Sequence, residues 1–463
     1  LNHTQENANE FAEICSDRVT IQQLTHRSPI GGFFGVILCV TDQERHLSVN
    51  LRKHQQRAVD AMKRETKGQV IIPTGGGKTM CMIYDALRTL NTNSNSTIVV
   101  VAPRILLANQ LSEEFMQFLK ADWVHVYHVH SGETHHESGT KPEKLAKFIE
   151  KNKENNAVAT HVIFTTYHSL RRVVESGIEI DTAYFDEAHN SVARNFFEST
   201  EEISETAKRC YFFTATPRIA RRHNRGMNNQ LVYGQIIEQV PAPELIESGS
   251  IIPPTIVPFE QDIDRVKKMS WDTDAQTVLD VLENLDDKNA QKVLCAVPSS
   301  KILGNMLGQT NLLSELKKRG YDVLHVTSKF GAYVNNKKVN REQFFNTMDE
   351  FGRDDDRKFI IFHYSILSEG INVHGLTHTI LLRQLATVEM AQTIGRVIRL
   401  HKEDSKRIRS GELTAGNLKM YRKPTGYVTV PTYTNYGKHI AKRLQRVVDA
   451  IFVHGIHPES LVA

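Results

Sequence analysis

The sequence predicts an α/β protein made of two tandem units, each a parallel sheet covered by helices. A small N-terminal module and a basic C-terminal segment flank them. Three observations carry this reading. Short apolar strands alternate with segments of helical spacing along most of the 463 residues. The alternation breaks at "VPAPELIESGSIIPPTIVPFE" (240–260), which holds five of the 14 prolines, and then restarts. A glycine-rich loop, "IIPTGGGKTM" (71–80), stands between a strand pattern and a helix pattern, where parallel sheets place their sites.

The elements follow in order. Residues 1–50 hold two apolar stretches, "RVTIQQL" and "GFFGVILCV", joined by "THRSPIGG", and read as a small β-rich accessory module. Residues 51–239 form the first unit. It runs from helix "RKHQQRAVDAMKRE" through the loop and its helix to "STIVVVAP", a continuous β-branched run typical of a strand buried on both faces. "HVIFTTY", "TAYFDEAH" and "RCYFFTATP" are three further strands ending in small or polar residues. The proline-rich segment 240–260 is expected to be a hinge. Residues 261–430 repeat the pattern with "KVLCAVPSS", "DVLHVTS", "KFIIFHYS", "HTILLRQ" and helix "VEMAQTIGRVIRL". Residues 431–463 read as a C-terminal helical segment.

Composition narrows the class. Hydrophobic residues are 40% and charged residues 24%, as in globular proteins. The longest apolar run, 31–40, is too short to span a bilayer, so no membrane partner is expected. The polar N-terminus "LNHTQENANEF" lacks the basic start of a signal peptide. Five scattered cysteines without a C-x-x-C pair suit a reducing compartment. The expected location is therefore the cytoplasm of a prokaryotic or phage-infected cell, or the nucleus if the source is eukaryotic. Net charge is +4, yet residues 401–463 carry 11 Lys and Arg against five Asp and Glu. Such an end suits a polyanion; a solvated basic face is the alternative.

The loop carries the first chemistry. Consecutive glycines turn backbone N–H groups towards a phosphate at a helix N-terminus. Lys78 adds a mobile cation, and the Thr79 hydroxyl suits Mg²⁺. Ile72 stands where the strict phosphate-loop pattern has glycine, while Gly75 and Gly77 remain. "FDEAH" puts Asp186 and Glu187 at a strand end, where one carboxylate can hold Mg²⁺ and the other can deprotonate water.

"PTGGGKT", "DEAH", "TATP" and "QTIGRVIR", in this order, resemble superfamily 2 helicases of the DEAH type. "LRKHQQRAV", "VAPRILLANQ" and "ILSEGINVHG" are similar to the branch holding UvsW, RecG, XPB and the restriction translocases. The resemblance covers about residues 51–400. It implies two RecA-like domains that bind ATP and Mg²⁺ in the cleft between them. By the same resemblance, Gln55 reads adenine, Thr74, Gly75, Gly76, Gly77, Lys78 and Thr79 hold the phosphates, and Gly370 lies near the nucleotide. Thr79 and Asp186 hold the metal, and Glu187 activates water. His189, Thr214 and Thr216 couple the ATP site to the nucleic-acid side, and Gln392, Arg396 and Arg399 complete the site from the second domain. Asn372 replaces the aspartate of many relatives. Candidate contacts to a nucleic-acid backbone are Arg104, Thr165, Thr166, Ser299, Ser300 and Thr327.

The implied function is an ATP-dependent DNA helicase or translocase acting on duplex, forked or branched DNA. A nuclease or replication factor is a conceivable protein partner. Two alternatives stand: an RNA helicase, and an ATPase switch subunit that recruits a partner without unwinding. Elsewhere, "HVYHVHSGETHHE" reads as alternating strand histidines rather than a zinc site. "PRIARRHNRGMNN" reads as either a duplex-contacting loop or a solvated one.

Overall fold

The computed structural model describes residues 51–93, 95–119, 121–156, 158–220, 225–285, 290–327, 329–364, 373–385 and 387–456. The N-terminal module, Gly370, Asn372 and two arginines of the arginine-rich loop, Arg221 and Arg222, lie outside these residues.

The first sheet has eight strands: β1 (Lys67–Ile71), β2 (Thr97–Ala102), β3 (Val124–Val129), β4 (Glu137–Ser138), β5 (Thr160–Thr166), β6 (Thr182–Phe185), β7 (Arg209–Thr214) and β8 (Gln235–Gln239). Their order is β4-β3-β5-β2-β6-β7-β1-β8, with every pairing parallel. All residues of β2 and β5 are buried, which suits the apolar and β-branched run of β2 and of "VIFTT" in β5, although β5 also buries His161. The glycine-rich loop follows β1, the Asp-Glu pair follows β6, and "TATP" closes β7. These three strands are neighbours, so all three motifs emerge side by side at one end of the sheet.

The second sheet comprises β9 (Pro254–Glu260), β10 (Lys292–Ala296), β11 (Asp322–Thr327), β12 (Gly331–Val334), β13 (Lys337–Val339), β14 (Phe359–His363), β15 (His378–Leu381) and β16 (Gly426–Thr432). The order is β13-β12-β11-β14-β10-β15-β16-β9. It is parallel apart from β12 of the edge hairpin β12–β13, which runs antiparallel to both β11 and β13. That hairpin turns through Asn335 and Asn336, both at positive φ (45° and 67°), which asparagine tolerates better than most residues.

The segment expected to be a hinge is instead mostly regular structure. Residues Ala242–Glu247 form a helix, and β9 pairs along its whole length with β16. The prolines misled because Pro marks edge strands as well as linkers. Pro254 and Pro258 lie in β9, whose outer edge needs no N–H donors. The second sheet therefore begins before residue 261.

One apolar cluster joins the two halves. Ile72 behind the loop, Leu245, Ile251 and Ile252 of the connecting segment, and Ile394 and Ile398 of the second half all belong to it. A buried polar knot pins the helix after the loop, Lys78–Thr92, to its sheet. Arg209 donates to both oxygens of Asp85 at 2.7 and 2.8 Å, and the Tyr184 hydroxyl donates to Asp85 Oδ2 at 2.6 Å. Among the described residues no helix is long and apolar enough to cross a membrane.

Candidate functional site

The loop adopts the shape its glycines permit. Gly75 and Gly77 have φ of 87° and 83°, and Gly77 begins the helix Lys78–Thr92. Neighbours crowd it closely. A Cβ on Gly77 would lie 2.3 Å from Gln55 Nε2, and one on Gly76 would lie 2.4 Å from Ile72 Cγ2. Gln55 donates to Gly77 O at 3.2 Å and Gly76 O at 3.4 Å, while its oxygen accepts from Arg52 N–H at 2.9 Å. Here Gln55 thus grips the loop itself. His54 does the same, with Nε2 2.8 Å from Gly76 O, and sequence reasoning passed over it.

Lys78 Nζ stands 3.6 Å from Glu187 Oε1, both side chains almost fully buried. Glu187 sits at φ 46°, ψ 52°, a left-handed conformation uncommon outside glycine and asparagine. That geometry turns the chain sharply after β6 and aims the carboxylate at the loop. Burial, then repulsion from Glu187, pushes the Asp186 carboxyl up to about 7, against the pull of Lys78. At Glu187 burial also acts upwards, but Lys78 and His189 override it and hold the carboxyl below its ordinary value. Glu187 Oε2 is buried with no hydrogen-bond partner. Two adjoining buried carboxylates, one lysine and an orphaned oxygen form a donor set short of positive charge. A divalent cation would offset that charge.

His189 ties the pair to the rest of the site. Its Nδ1 lies 3.0 Å from Thr214 Oγ1 and 3.5 Å from Glu187 Oε2. Its Nε2 accepts from Gln392 Nε2 at 3.2 Å, and Gln392 belongs to the second half. Thr216 N–H donates to Thr214 Oγ1 at 3.1 Å, while the Thr216 hydroxyl is buried and unpartnered.

The second half brings its arginines to the same cleft. Helix Thr387–Val397 lies against the loop so closely that a Cβ on Gly395 would stand 2.6 Å from Thr74 Cβ. Arg396 is buried, and its charge acts on Glu187. The helix ends at Val397, so Arg399 occupies the turn beyond it rather than the helical face that residue spacing suggested. Arg399 faces Glu114, whose carboxylate also takes a hydrogen bond from Thr79. Glu114 lies on helix Ile105–Phe118. Nothing in the local sequence marks it, because only the fold brings that helix to the loop.

Several of the candidate backbone contacts make hydrogen bonds within the fold. The Thr165 hydroxyl is fully buried and donates to Val129 O at 3.0 Å. Thr166 is also buried. Ser299 caps the helix Ser300–Gln309 by accepting from Ile302 N–H at 3.1 Å, and Thr327 Oγ1 accepts from Phe330 N–H at 2.9 Å. Arg104 is half-buried at the N-cap of helix Ile105–Phe118. In the histidine-rich stretch, His128 Nδ1 lies 3.0 Å from His130 Nε2, and burial takes the His128 imidazole down to about 3.

The family model "Type III restriction enzyme, res subunit" matches residues 48–219, and "Helicase conserved C-terminal domain" matches residues 275–401. No curated protein matches in sequence. Among solved structures, the chain is similar to the ATP-dependent Type ISP restriction-modification enzyme LlaBIII bound to DNA (TM-score 0.60, 15% identity), covering 88% of this chain and 30% of that one. It thus spans under a third of that enzyme's length. A fragment assigned as the HsdR subunit of a type I restriction enzyme from Vibrio vulnificus YJ016 matches at TM-score 0.52 and 17% identity, covering 82% of this chain and 68% of that one. Mss116p bound to single-stranded RNA and AMP-PNP matches at TM-score 0.52 and 15% identity, covering 87% and 76%. At these identities the likeness is one of fold, and the fold is two tandem RecA-like domains.

Proposed function

We propose that the chain, a member of helicase superfamily 2, hydrolyses ATP to translocate along DNA, unwinding or remodelling duplex or branched substrates. The observation that carries this reading is the Gln392–His189 hydrogen bond. Through it, a carboxylate suited to activating water in one domain is connected to the arginine-bearing helix of the other.

In this reading the loop N–H groups and Lys78 bind the β- and γ-phosphates of ATP. Thr79 and Asp186 are the residues that would hold Mg²⁺, which when bound offsets phosphate charge. Glu187 orients the attacking water and accepts its proton. Arg396 and Arg399 approach from the second domain and meet the charge that grows on the γ-phosphate, a contribution on the order of 10³–10⁵ in rate. Because the two sets of groups lie on different domains, ATP binds the closed cleft better than the open one. Hydrolysis removes that preference and lets the domains part. Nucleic acid held on both domains is then moved by each cycle.

DNA is favoured over RNA by the match to a restriction-subunit family and by the likeness to LlaBIII, which is itself bound to DNA. The exposed face of helix Lys438–Val448 presents Lys438, Lys442, Arg443 and Arg446, a row suited to phosphates. The RNA reading rests on the likeness to Mss116p.

The test is the steady-state ATPase rate without nucleic acid, then with single-stranded, duplex and branched DNA and with single-stranded RNA, using Lys78→Ala as the blank. Stimulation greatest on branched DNA is expected. Stimulation by RNA alone would replace DNA with RNA. A flat response would leave a switch that lacks a track.

A further inference from the structure

The end of the arginine-bearing helix is held in an unusual way. A helix leaves its last carbonyls without intrahelical partners. Here the carbonyl of the last helical residue and those of the two residues after it are all taken. Ile398 O accepts from Ile252 N–H at 2.8 Å. Val397 O and Arg399 O both accept from a single group, the Lys423 ammonium, at 2.7 and 2.9 Å. The same ammonium donates to Leu376 O at 2.5 Å, on the segment leading into β15. Lys423 is itself almost fully buried.

The lysine is fixed from behind. Asp404, with no exposed surface, accepts the N–H of Arg422 at 2.9 Å and of Lys423 at 3.0 Å on its two oxygens. The backbone must also pass close to the turn. A Cβ on Gly426 would lie 2.3 Å from Val397 O. An ammonium has three N–H donors, and here three carbonyls converge on them. Its charge also lies at the negative end of a helix.

We propose that Lys423 is a positioning residue for ATP hydrolysis: it fixes the turn that carries Arg399 and ends the helix carrying Arg396, and so sets where both guanidiniums meet the reacting phosphate. The inference rests on the hydrolysis reading above. Lys423 does not touch the phosphate. It acts through the backbone of Val397 and Arg399, and a displacement of about 1 Å at such a site can cost on the order of 10²-fold in rate.

The test is ATP turnover by the full chain with the stimulating nucleic acid, for wild type, Lys423→Met, Asp404→Asn, Arg399→Ala and the double variant K423M/R399A. We expect K423M to lower kcat on the order of 10²-fold with KM for ATP little changed, because the guanidiniums it leaves misplaced act on the transition state. Residues acting as one unit are not additive, so on the R399A background K423M is expected to cost about tenfold less than it does alone. Asp404→Asn, which removes one of the two backbone acceptors and the negative charge beside the ammonium while leaving its three carbonyls in place, is expected to give a smaller loss of the same kind. A folded K423M with wild-type kcat, or a loss undiminished on the R399A background, would overturn the proposal. If circular dichroism shows K423M unfolded, D404N and D404N/R399A are read by the same criteria. Wild type without turnover on any nucleic acid would sink the hydrolysis reading and this inference together. Wild-type turnover matched by the variants would sink the inference alone.

Discussion

Gln392 of the second domain donates to His189 Nε2 of the first at 3.2 Å, and His189 Nδ1 lies 3.0 Å from Thr214 Oγ1. An amide nitrogen can only donate, so Nε2 must accept. In the neutral ring the proton then sits on Nδ1 and points to Thr214 or Glu187. The tautomer thus follows from the network around the ring, and both domains contribute to that network.

On the proposed function, breaking this link should separate hydrolysis from its track. Gln392→Ala and His189→Ala should keep a basal ATPase rate within about tenfold of wild type, yet lose most of the stimulation by nucleic acid. A double-mutant cycle on the stimulated rate should show coupling of about 0.5–3 kcal/mol, the range for residues in contact. Fully additive losses would show that the two side chains act separately.

Gly395 permits the close approach of the arginine helix to Thr74. Gly395→Val should leave each domain folded and leave the apparent melting temperature within a few degrees. It should nevertheless depress kcat strongly, because a side chain there meets Thr74 Cβ at 2.6 Å or less. Wild-type kcat in this variant would mean the cleft works without that close approach.

The Asp85–Arg209–Tyr184 knot holds the helix that carries Lys78 and Thr79. Removing one partner leaves a buried charge uncompensated, which costs about 3–5 kcal/mol. Asp85→Ala should lower the urea midpoint accordingly. A loss under about 1 kcal/mol would show that water reaches the site and replaces the carboxylate.

Lys423 supplies a pH signature. Burial first, and then the charge of Arg399, pull its ammonium down to about 7; Lys292 adds to this and Asp404 opposes it. The unfolded chain keeps that proton up to its ordinary value of 10.5. Between these values the unfolded state binds more protons than the native state, so this group adds stability as pH rises through the window. Wild type should therefore gain stability relative to Lys423→Met between pH 7 and 9, by at most about 1.4 kcal/mol per unit. Urea unfolding of the pair at both pH values reads this directly. A gap that stays constant would mean the ammonium, held by its three carbonyls, stays charged throughout.

Much of the site was legible because its parts are local. A glycine-rich turn, an acidic pair after an apolar strand and a run with arginines at helical spacing each announce themselves within ten residues. Residue type alone pointed to Lys78, Asp186 and Glu187 as candidates, whereas Gln392 and Arg396 were named through the resemblance of their motif. The proline-rich segment misled for an equally local reason, since a proline cannot say whether it stands in a linker or at a sheet edge.

What the sequence by itself determined was the alternation of strands and helices, the order of the motifs and the residue types offered to a phosphate. Periodicity and backbone preference act over a few residues, and those were enough. Which strands lie side by side, that Glu114 faces Arg399 and Thr79, that Gly395 rests on Thr74, and that Lys423 closes the turn after Val397 were decided only by the tertiary structure. Each joins residues tens to hundreds of positions apart. Such contacts are selected by burial and by the need to satisfy every enclosed carbonyl and charge, and only the packed chain imposes those conditions.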